Sequence, residues 1–178
     1  MPMARPKEPH PVIETARLRL RRFRVDDSGA MHRCFADAAA MRYWNHAPHT
    51  KPAETERAVR RMIDCTPAYY RFWAVADART DRCVGMVSYH DGHIRNRRAA
   101  IGYVVDPARQ RTGIAFEAAS AVVDFCFGTL GLNRLEAFVH PDNAASRRLA
   151  EKLGFQLEGR LRAHLRVVAR TPGQRAWR

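Results

Sequence analysis

A strand, a turn and a helix in the middle of the chain constrain its fold more than any other segment does. Residues 101–105, Ile-Gly-Tyr-Val-Val, are mostly apolar and β-branched, which is typical of a buried strand. Downstream, apolar residues recur at steps of three and four, as in a helix packed on a sheet: Ala115, Ala118, Ala119, Val122, Val123 and Cys126. The turn between these segments contains Gly113 and two arginines, Arg109 and Arg111.

This turn has the features of a phosphate-binding site. The N-terminus of a helix offers unpaired backbone N–H groups and the positive end of the helix dipole, and a glycine allows close approach of a ligand. We therefore predict that the turn binds a pyrophosphate through six residues: Gln110, Arg111, Thr112, Gly113, Ile114 and Ala115. The spacing differs from the Gly-x-Gly-x-x-Gly loop and from the loop that ends in Gly-Lys-Ser/Thr. A turn without any ligand is the alternative interpretation.

A second motif about thirty residues further on makes the pattern specific. Asn143 and Ser146 form an Asn-x-x-Ser motif, and residues 151–155 read Glu-Lys-Leu-Gly-Phe. The chain resembles the GCN5-related N-acetyltransferases (GNAT) in these two motifs and in its order of strand, Gln-x-x-Gly-x-Ala turn, helix and strand. It looks most like the RimJ/RimL branch, which acetylates ribosomal-protein N-termini. The resemblance covers roughly residues 14–165. It implies an α/β (α+β) fold in which helices flank a central mixed, mostly antiparallel sheet.

Two helices are predicted upstream of the turn. The first begins at Asp26 or Asp27, which are good N-cap residues. Its apolar face consists of Met31, Cys34, Phe35 and Ala38. The second helix follows Thr50 and carries Pro52 in its first turn.

Strands are predicted on both sides of these helices. Leu18 and Leu20 alternate with arginines, as in an edge strand. Residues 72–76 and 83–89 are expected to form a hairpin, and the strand that ends at Val105 to pair antiparallel with it. A further strand is predicted over 134–140, followed by a helix over 143–153.

Length and composition favour one domain. The 178 residues are enough for a substantial core, and we expect an N-acetyltransferase domain over 14–169, after a disordered or extended lead over 1–13. Relatives add another apolar strand near the C-terminus, whereas residues 170–178 form an atypical tail with Pro172 and Gly173. The sheet is therefore expected to lack the usual last strand, which leaves an exposed edge that a partner subunit could cover, so monomer and homodimer both stay open.

Targeting and metal signals are absent from the sequence. No apolar run approaches the roughly eighteen residues that span a bilayer, and no signal peptide is recognisable, so we expect a cytoplasmic protein without membrane contact. The four cysteines lack metal-binding or redox spacing. We expect buried free thiols and no metal.

The formal net charge of +13 raises nucleic-acid binding as a rival function. The arginines lie in different elements, however, and no helix-turn-helix, zinc-finger or RNA-binding aromatic signature accompanies them. A nucleic-acid binder is therefore the least favoured class. A basic surface also steers an anionic cofactor, and an association with ribosomes is a hypothesis that rests on charge alone.

The resemblance implies that acetyl-CoA is the acyl donor and that no metal takes part. Backbone groups of Tyr103, Val104 and Val105 would pair with the pantetheine arm, because a splayed strand end leaves them free of the sheet. Asn143 is expected either to contact this arm or to cap the following helix.

The acceptor amine must lose its proton before it attacks. At pH 7 an α-amino group with a pKa of about 7.7–8.0 is about a tenth to a sixth neutral, whereas lysine near 10.4 is neutral about once in several thousand. Many relatives carry a glutamate just before the Ile-Gly-Tyr motif, where this chain has Ala99 and Ala100. Candidate bases are Glu136 and His140, with weaker options listed last: Tyr89 and His90. A surface or structural role is the alternative for each.

The resemblance assigns Ser146 to the leaving group. Its hydroxyl would donate a proton to the sulfur of the CoA thiolate, although a serine in the first turn of a helix also often bonds to backbone. Three aromatic residues are predicted to line the acceptor site, with packed anchors as the alternative: Tyr43, Trp44 and Tyr89.

The sequence thus predicts an acetyl-CoA-dependent N-acetyltransferase that acts on a primary amine. A protein N-terminus is the preferred acceptor. A small-molecule amine and a non-catalytic acyl-CoA-binding module are the alternatives.

Overall fold

The strands pair in the order in which they occur in the chain. Within the residues that the computed structural model describes, 10–162 and 164, six strands form one sheet. Neighbours from the first to the fifth strand are antiparallel, and the sixth runs parallel to the fifth. The strands are β1 (Ile13–Glu14), β2 (Leu18–Arg21), β3 (Arg71–Asp77), β4 (Cys83–His93), β5 (Arg98–Val105) and β6 (Arg134–Glu136).

Four α-helices accompany the sheet in the same described residues: α1 (Ser28–Phe35), α2 (Pro52–Ile63), α3 (Ile114–Asp124) and α4 (Ala144–Lys152). At the start of α2, the Glu54 carboxylate accepts hydrogen bonds from the N–H groups of Thr50 and Lys51, at 2.7 and 3.1 Å. These bonds satisfy donors that have no partner within the helix. None of the described helices is long and apolar enough to cross a membrane.

Apolar side chains divide between the two faces of the sheet, because successive residues of a strand point in opposite directions. On one face, Trp73 and Ile101 pack with Val122 of α3. On the other face, Val104 packs with Phe35 of α1 and Val59 of α2. We call these the α3 face and the α1/α2 face.

The structure confirms most of the predicted elements. The hairpin of β3 and β4, the antiparallel pairing of β4 with β5, and the helices after Thr50, Gly113 and Asn143 are all present. The mixed, mostly antiparallel sheet is also confirmed. Residues 1–9 of the predicted lead, the tail 170–178 and the question of a last strand lie outside the described residues.

Four details differ from the sequence prediction. Ala38 is exposed, because α1 ends at Phe35 and its inward face ends with it. β2 is not an edge strand, since it pairs with both β1 and β3. β6 stops at Glu136 and does not reach residue 140. Ile13 pairs with Leu20, so the sheet begins one residue before the predicted domain.

The four cysteines are free. Cys65 is half-buried, and the other three are buried as expected. Burial raises the pKa of Cys34, Cys83 and Cys126 to about 12, so these thiols stay protonated at neutral pH.

A buried guanidinium connects β2 to the start of α1. Arg21 is 5% exposed and donates two hydrogen bonds to the Asp27 carboxylate, at 2.8 and 2.9 Å. Its Nε donates to Asp81 at 2.9 Å. Asp27 is 6% exposed, so Arg21 supplies the charge that compensates a buried carboxylate.

Arg21→Met should therefore lower the free energy of unfolding by about 3–5 kcal/mol, because it leaves Asp27 buried without its cation. Urea denaturation followed by circular dichroism measures this change. Arg19→Met is the matched control, since Arg19 lies on the same strand in an exposed ion pair with Glu14 and should have little effect. Equal stability of the two variants would contradict this role for Arg21.

Candidate active site

β5 and β6 separate after three residue pairs and leave a cleft between them. Arg98, Ala99 and Ala100 pair with β6, and within the described residues no pair follows, although β5 continues to Val105. The edge of β5 over residues 101–105 therefore borders the cleft. We call this space the β5/β6 cleft.

The backbone groups that face the cleft follow from the hydrogen-bond pattern. Asp106 donates its N–H to the Val84 carbonyl of the neighbouring β4 segment at 2.9 Å. Because backbone groups of an antiparallel pair alternate in direction, Val104 also faces β4, whereas Tyr103 and Val105 face the cleft. The Val105 carbonyl accepts a hydrogen bond from Nε2 of Gln110 at 3.4 Å, which agrees with this direction.

The predicted phosphate-binding turn lies directly after β5. Asp106 caps a short 3-10 turn, Pro107–Arg109, by accepting from the Ala108 N–H at 3.0 Å. Gly113 has a φ of +84°, a left-handed conformation that favours glycine. The first hydrogen bond of α3 runs from the Glu117 N–H to the Gly113 carbonyl. The N–H groups of residues 113–116 come before this bond and have no partner within the helix.

Tyr103 and Ser146 meet at this cleft. Their hydroxyl oxygens lie 2.7 Å apart, and the Tyr103 ring packs on the α3 face. Burial raises the pKa of Tyr103, so its phenol stays protonated at neutral pH. The Asn143 carboxamide oxygen accepts a hydrogen bond from the Ser146 N–H at 3.1 Å. Asn143 therefore caps α4 and fixes the position of Ser146.

Glu136 is held by two arginines. Its carboxylate accepts hydrogen bonds from Arg98 at 3.2 Å and from Arg134 at 2.8 Å. The preceding residue, Leu135, packs on the α3 face, so Glu136 projects to the opposite face of the sheet from Ser146. The structure does not bring these two candidate catalytic residues together.

His140 contacts one of the residues predicted to line the acceptor site. The rings of His140 and Tyr43 stack with centroids 4.9 Å apart, and the Tyr43 hydroxyl donates to the Asp142 carbonyl at 3.0 Å. Nδ1 of His140 accepts from the Asp142 N–H at 3.2 Å. The half-buried Trp44 packs edge-on against Phe35, with centroids 6.1 Å apart. Tyr43 therefore connects the segment between α1 and α2 to the segment before α4.

Tyr89 does not fit the prediction that it lines the acceptor site or acts as a base. It is 3% exposed and belongs to the core on the α3 face. Its hydroxyl donates to the Pro67 carbonyl at 2.5 Å, and its ring packs edge-on against Trp73. The residue is a core aromatic whose polar end is satisfied.

His90 is placed better for chemistry than the sequence indicated. It pairs across the sheet with Ala100, one of the two alanines that precede the Ile-Gly-Tyr motif. A Cβ at Gly102 would lie 3.2 Å from Cε1 of His90 and 3.3 Å from the Ser88 hydroxyl. Burial lowers the pKa of His90, so the imidazole is neutral at pH 7 and has a free lone pair. The sequence offered no signal for this pairing, since register is invisible without the fold.

Arg33 is another residue that sequence analysis missed. From α1 it donates through Nε to the Asp106 carboxylate at 2.8 Å, and Asp106 is 5% exposed. The start of the predicted phosphate-binding turn is thereby attached to the α1/α2 side of the molecule. Across the part of the chain that the structure describes, no group of three His, Cys, Asp or Glu side chains is arranged to hold a metal ion.

Comparison with known proteins identifies the family. The acetyltransferase (GNAT) domain profile matches residues 17–156. The N-acetyltransferase YoaA of Bacillus subtilis, itself uncharacterized, is 36% identical over 160 residues, which are 87% of this chain and 88% of that protein. Spermidine N(1)-acetyltransferase of Escherichia coli K12 is 28% identical over 144 residues, or 81% of this chain and 75% of that protein.

A solved structure shows the same fold. RimL, a ribosomal L7/L12 α-N-protein acetyltransferase in complex with coenzyme A, superposes with a TM-score of 0.73 at 24% identity. The superposition covers 84% of this chain and 86% of that one. The superposition supports the predicted fold. The suspected relation to the RimJ/RimL branch is supported by a putative ribosomal-protein-serine acetyltransferase of Vibrio cholerae, which is 28% identical with a TM-score of 0.72 over 82% of this chain and 83% of that one. This chain belongs to the GNAT family of acetyl-CoA-dependent N-acetyltransferases.

Proposed function

We propose that this chain transfers an acetyl group from acetyl-CoA to the α-amino group of a protein N-terminus. The observation that carries this proposal is the pair of hydroxyl groups, Tyr103 and Ser146, 2.7 Å apart beside the unpaired half of β5. A proton donor at this position can serve a sulfur atom that lies in the β5/β6 cleft.

The cleft and the turn fit the two halves of the donor. The backbone of Tyr103 and Val105 faces the cleft and offers strand-like hydrogen bonds to the amides of a pantetheine arm. Val104 bonds within the sheet, so we narrow the predicted backbone contacts to these two residues. The amides of 111–116, at the N-terminus of α3, suit a pyrophosphate. Bound there, acetyl-CoA supplies the activated thioester.

Ser146 is the proposed acid for the leaving group. When the amine nitrogen bonds to the acetyl carbon and the carbon–sulfur bond breaks, the Ser146 hydroxyl gives its proton to the thiolate. The Tyr103 phenol is the adjacent group from which Ser146 can regain a proton. Asn143, which caps α4, serves this step by positioning Ser146.

His90 is the proposed base that accepts the proton of the attacking amine. It is neutral at pH 7 and pairs with Ala100, on the α1/α2 side of the sheet. Glu136 is less suited, because two guanidinium groups occupy its carboxylate. His140 stays the second candidate, although the Asp142 N–H occupies the lone pair of its Nδ1, so that Nε2 carries the ring proton of the neutral form.

The preference for an α-amino acceptor has a chemical and an electrostatic basis. A neutral imidazole is a weak base, which suffices for an amine of pKa about 7.7–8.0 but serves a lysine or a polyamine poorly. A polyamine also needs free carboxylates, whereas Glu136 and Asp106 are paired with arginines. A relative named spermidine N(1)-acetyltransferase makes a small-molecule amine the main alternative.

An acceptor panel tests the proposed function. Peptides with a free N-terminus should be acetylated with a kcat/KM on the order of a hundredfold above blocked peptides with an internal lysine, in line with their neutral fractions at pH 7. Release of the CoA thiol measures the reaction, and mass spectrometry locates the acetyl group. Preference for spermidine or for lysine would contradict an N-terminal acceptor.

Ser146→Ala tests the acid. The variant should lose about a hundredfold or more in kcat, because no hydroxyl remains to protonate sulfur, while the Kd for CoA changes little. Single-turnover kinetics and calorimetric titration give the two quantities. Ser120→Ala, on α3, is the control. Full activity of Ser146→Ala would refute the assignment.

The pH dependence tests His90. Below the pKa of the acceptor amine, log kcat/KM falls by one unit per pH unit. Protonation of His90 below pH 6.5 should add a second unit to this slope, so that the fall becomes two units per pH unit. His90→Gln should abolish only the second unit and lower kcat/KM at pH 7.5 about a hundredfold. If His140→Gln removes this steeper limb and His90→Gln keeps it, the base is His140.

The same substitution changes the acid stability of the fold. Because the pKa of His90 is lowered in the folded state, the unfolded chain binds this proton first as the pH falls below 6.5. The contribution of neutral His90 to the free energy of unfolding is complete above pH 6.5. It is lost as the pH falls through the pKa that His90 has in the folded protein. His90→Gln should therefore reduce the loss of unfolding free energy between pH 7.5 and 5.5, as urea titrations at both values would measure.

A further inference from the structure

Arg17, immediately before β2, reaches across to the turn that precedes α3. Its Nη1 donates a hydrogen bond to the Thr112 carbonyl at 3.1 Å. A Cβ at Gly113 would lie 3.2 Å from its Nη2, so the guanidinium packs directly on the glycine. The contact joins residues 95 positions apart in sequence.

Glu117 fixes the direction of this guanidinium. Nε and Nη2 of Arg17 both lie 2.7 Å from Oε2 of Glu117. The other carboxylate oxygen, Oε1, accepts from the Arg17 N–H at 2.9 Å and from the Thr15 hydroxyl at 2.6 Å. Burial alone would raise the pKa of Glu117, but the hydrogen bonds from Thr15 and Arg17 hold it below its usual range. The glutamate thus stays charged and holds Arg17 in one position.

The hydrogen bond to Thr112 also sets the direction of the next amide. In a trans peptide the carbonyl of one residue and the N–H of the next point in opposite directions. Because the Thr112 carbonyl points to Arg17, the Gly113 N–H points away from it. That N–H is one of the amides that precede the first helical bond of α3. Arg17 therefore holds this peptide in a form that presents the Gly113 amide to the side away from its guanidinium.

We propose that Arg17 is a positioning residue for the pyrophosphate of acetyl-CoA. It keeps the Thr112–Gly113 peptide in the orientation that binds the anion, while Glu117 balances its charge. The inference rests on the proposed place of acetyl-CoA in the cleft. It assigns a function to an arginine that lies outside both sequence motifs.

Binding measurements with three ligands test this role. Arg17→Gln should weaken the binding of CoA and of dephospho-CoA by the same factor, about tenfold or more, because both contain the pyrophosphate. Binding of pantetheine, which lacks it, should not change. Arg17→Lys should resemble Arg17→Gln, since lysine keeps the charge but cannot bond to Thr112 and Glu117 with one planar group. Isothermal titration calorimetry gives all the dissociation constants.

Two controls separate this effect from a general loss of structure. Arg19→Gln removes a more distant arginine two residues along, and it should bind all three ligands like the unmodified protein. Glu117→Gln weakens the anchor of Arg17 and should reproduce part of the loss for CoA and dephospho-CoA alone. Thermal melting without ligand checks that each variant is folded.

Several outcomes would overturn the inference. Unchanged CoA binding by Arg17→Gln removes the role, and a loss confined to CoA assigns Arg17 to the 3′-phosphate instead. If Arg17→Lys binds CoA as tightly as the unmodified protein does, Arg17 contributes only its charge and not its hydrogen bonds. Failure of the unmodified protein to bind CoA would instead contradict the proposed donor site itself, and the inference with it.

Discussion

The early separation of β6 from β5 is the constraint on which the whole site depends. Three residue pairs join the strands, and within the described residues β5 then continues to Val105 paired with β4 only. Had the pairing continued, the backbone of Tyr103 and Val105 would be used within the sheet. The segment after β6 makes other contacts, because His140 stacks on Tyr43 and Asn143 caps α4. In the proposed site this open strand edge is the binding surface for acetyl-CoA, and so avoids the aggregation hazard of an exposed one.

Cations on two different elements hold the turn that follows β5. Arg33 of α1 pairs with Asp106 at its beginning, and Arg17 before β2 bonds to Thr112 near its end. Both carboxylates involved, Asp106 and Glu117, are largely shielded from water, so each ion pair has a defined geometry. The turn is consequently attached to the α1/α2 side and to the N-terminal part of the sheet at once. Part of the strong positive charge of the chain is thus structural, and it need not indicate a nucleic-acid partner.

The sequence was sufficient for features that depend on local pattern. The strand ending at Val105, the turn with Gly113 and the Asn143 cap lie within short segments, so propensity and spacing define them. The sequence-based prediction failed where strand alternation and register determine the position of a side chain. Tyr89 and His90 are neighbours in sequence, yet they point to opposite faces, which makes one a core residue and the other the partner of Ala100. The contact of Arg17 with Thr112 joins residues 95 positions apart in sequence, so no local pattern predicts it.

Hydrogen–deuterium exchange with and without saturating CoA tests the central claim, the location of the donor, most directly. We expect slower exchange at the amides of Tyr103 and Val105 and across residues 111–116, because these groups would bond to the pantetheine arm and the pyrophosphate. The amide of Val104, already bonded to β4, should change little. Saturation with CoA that leaves both segments unprotected, or that protects a surface away from the β5/β6 cleft, would contradict the account.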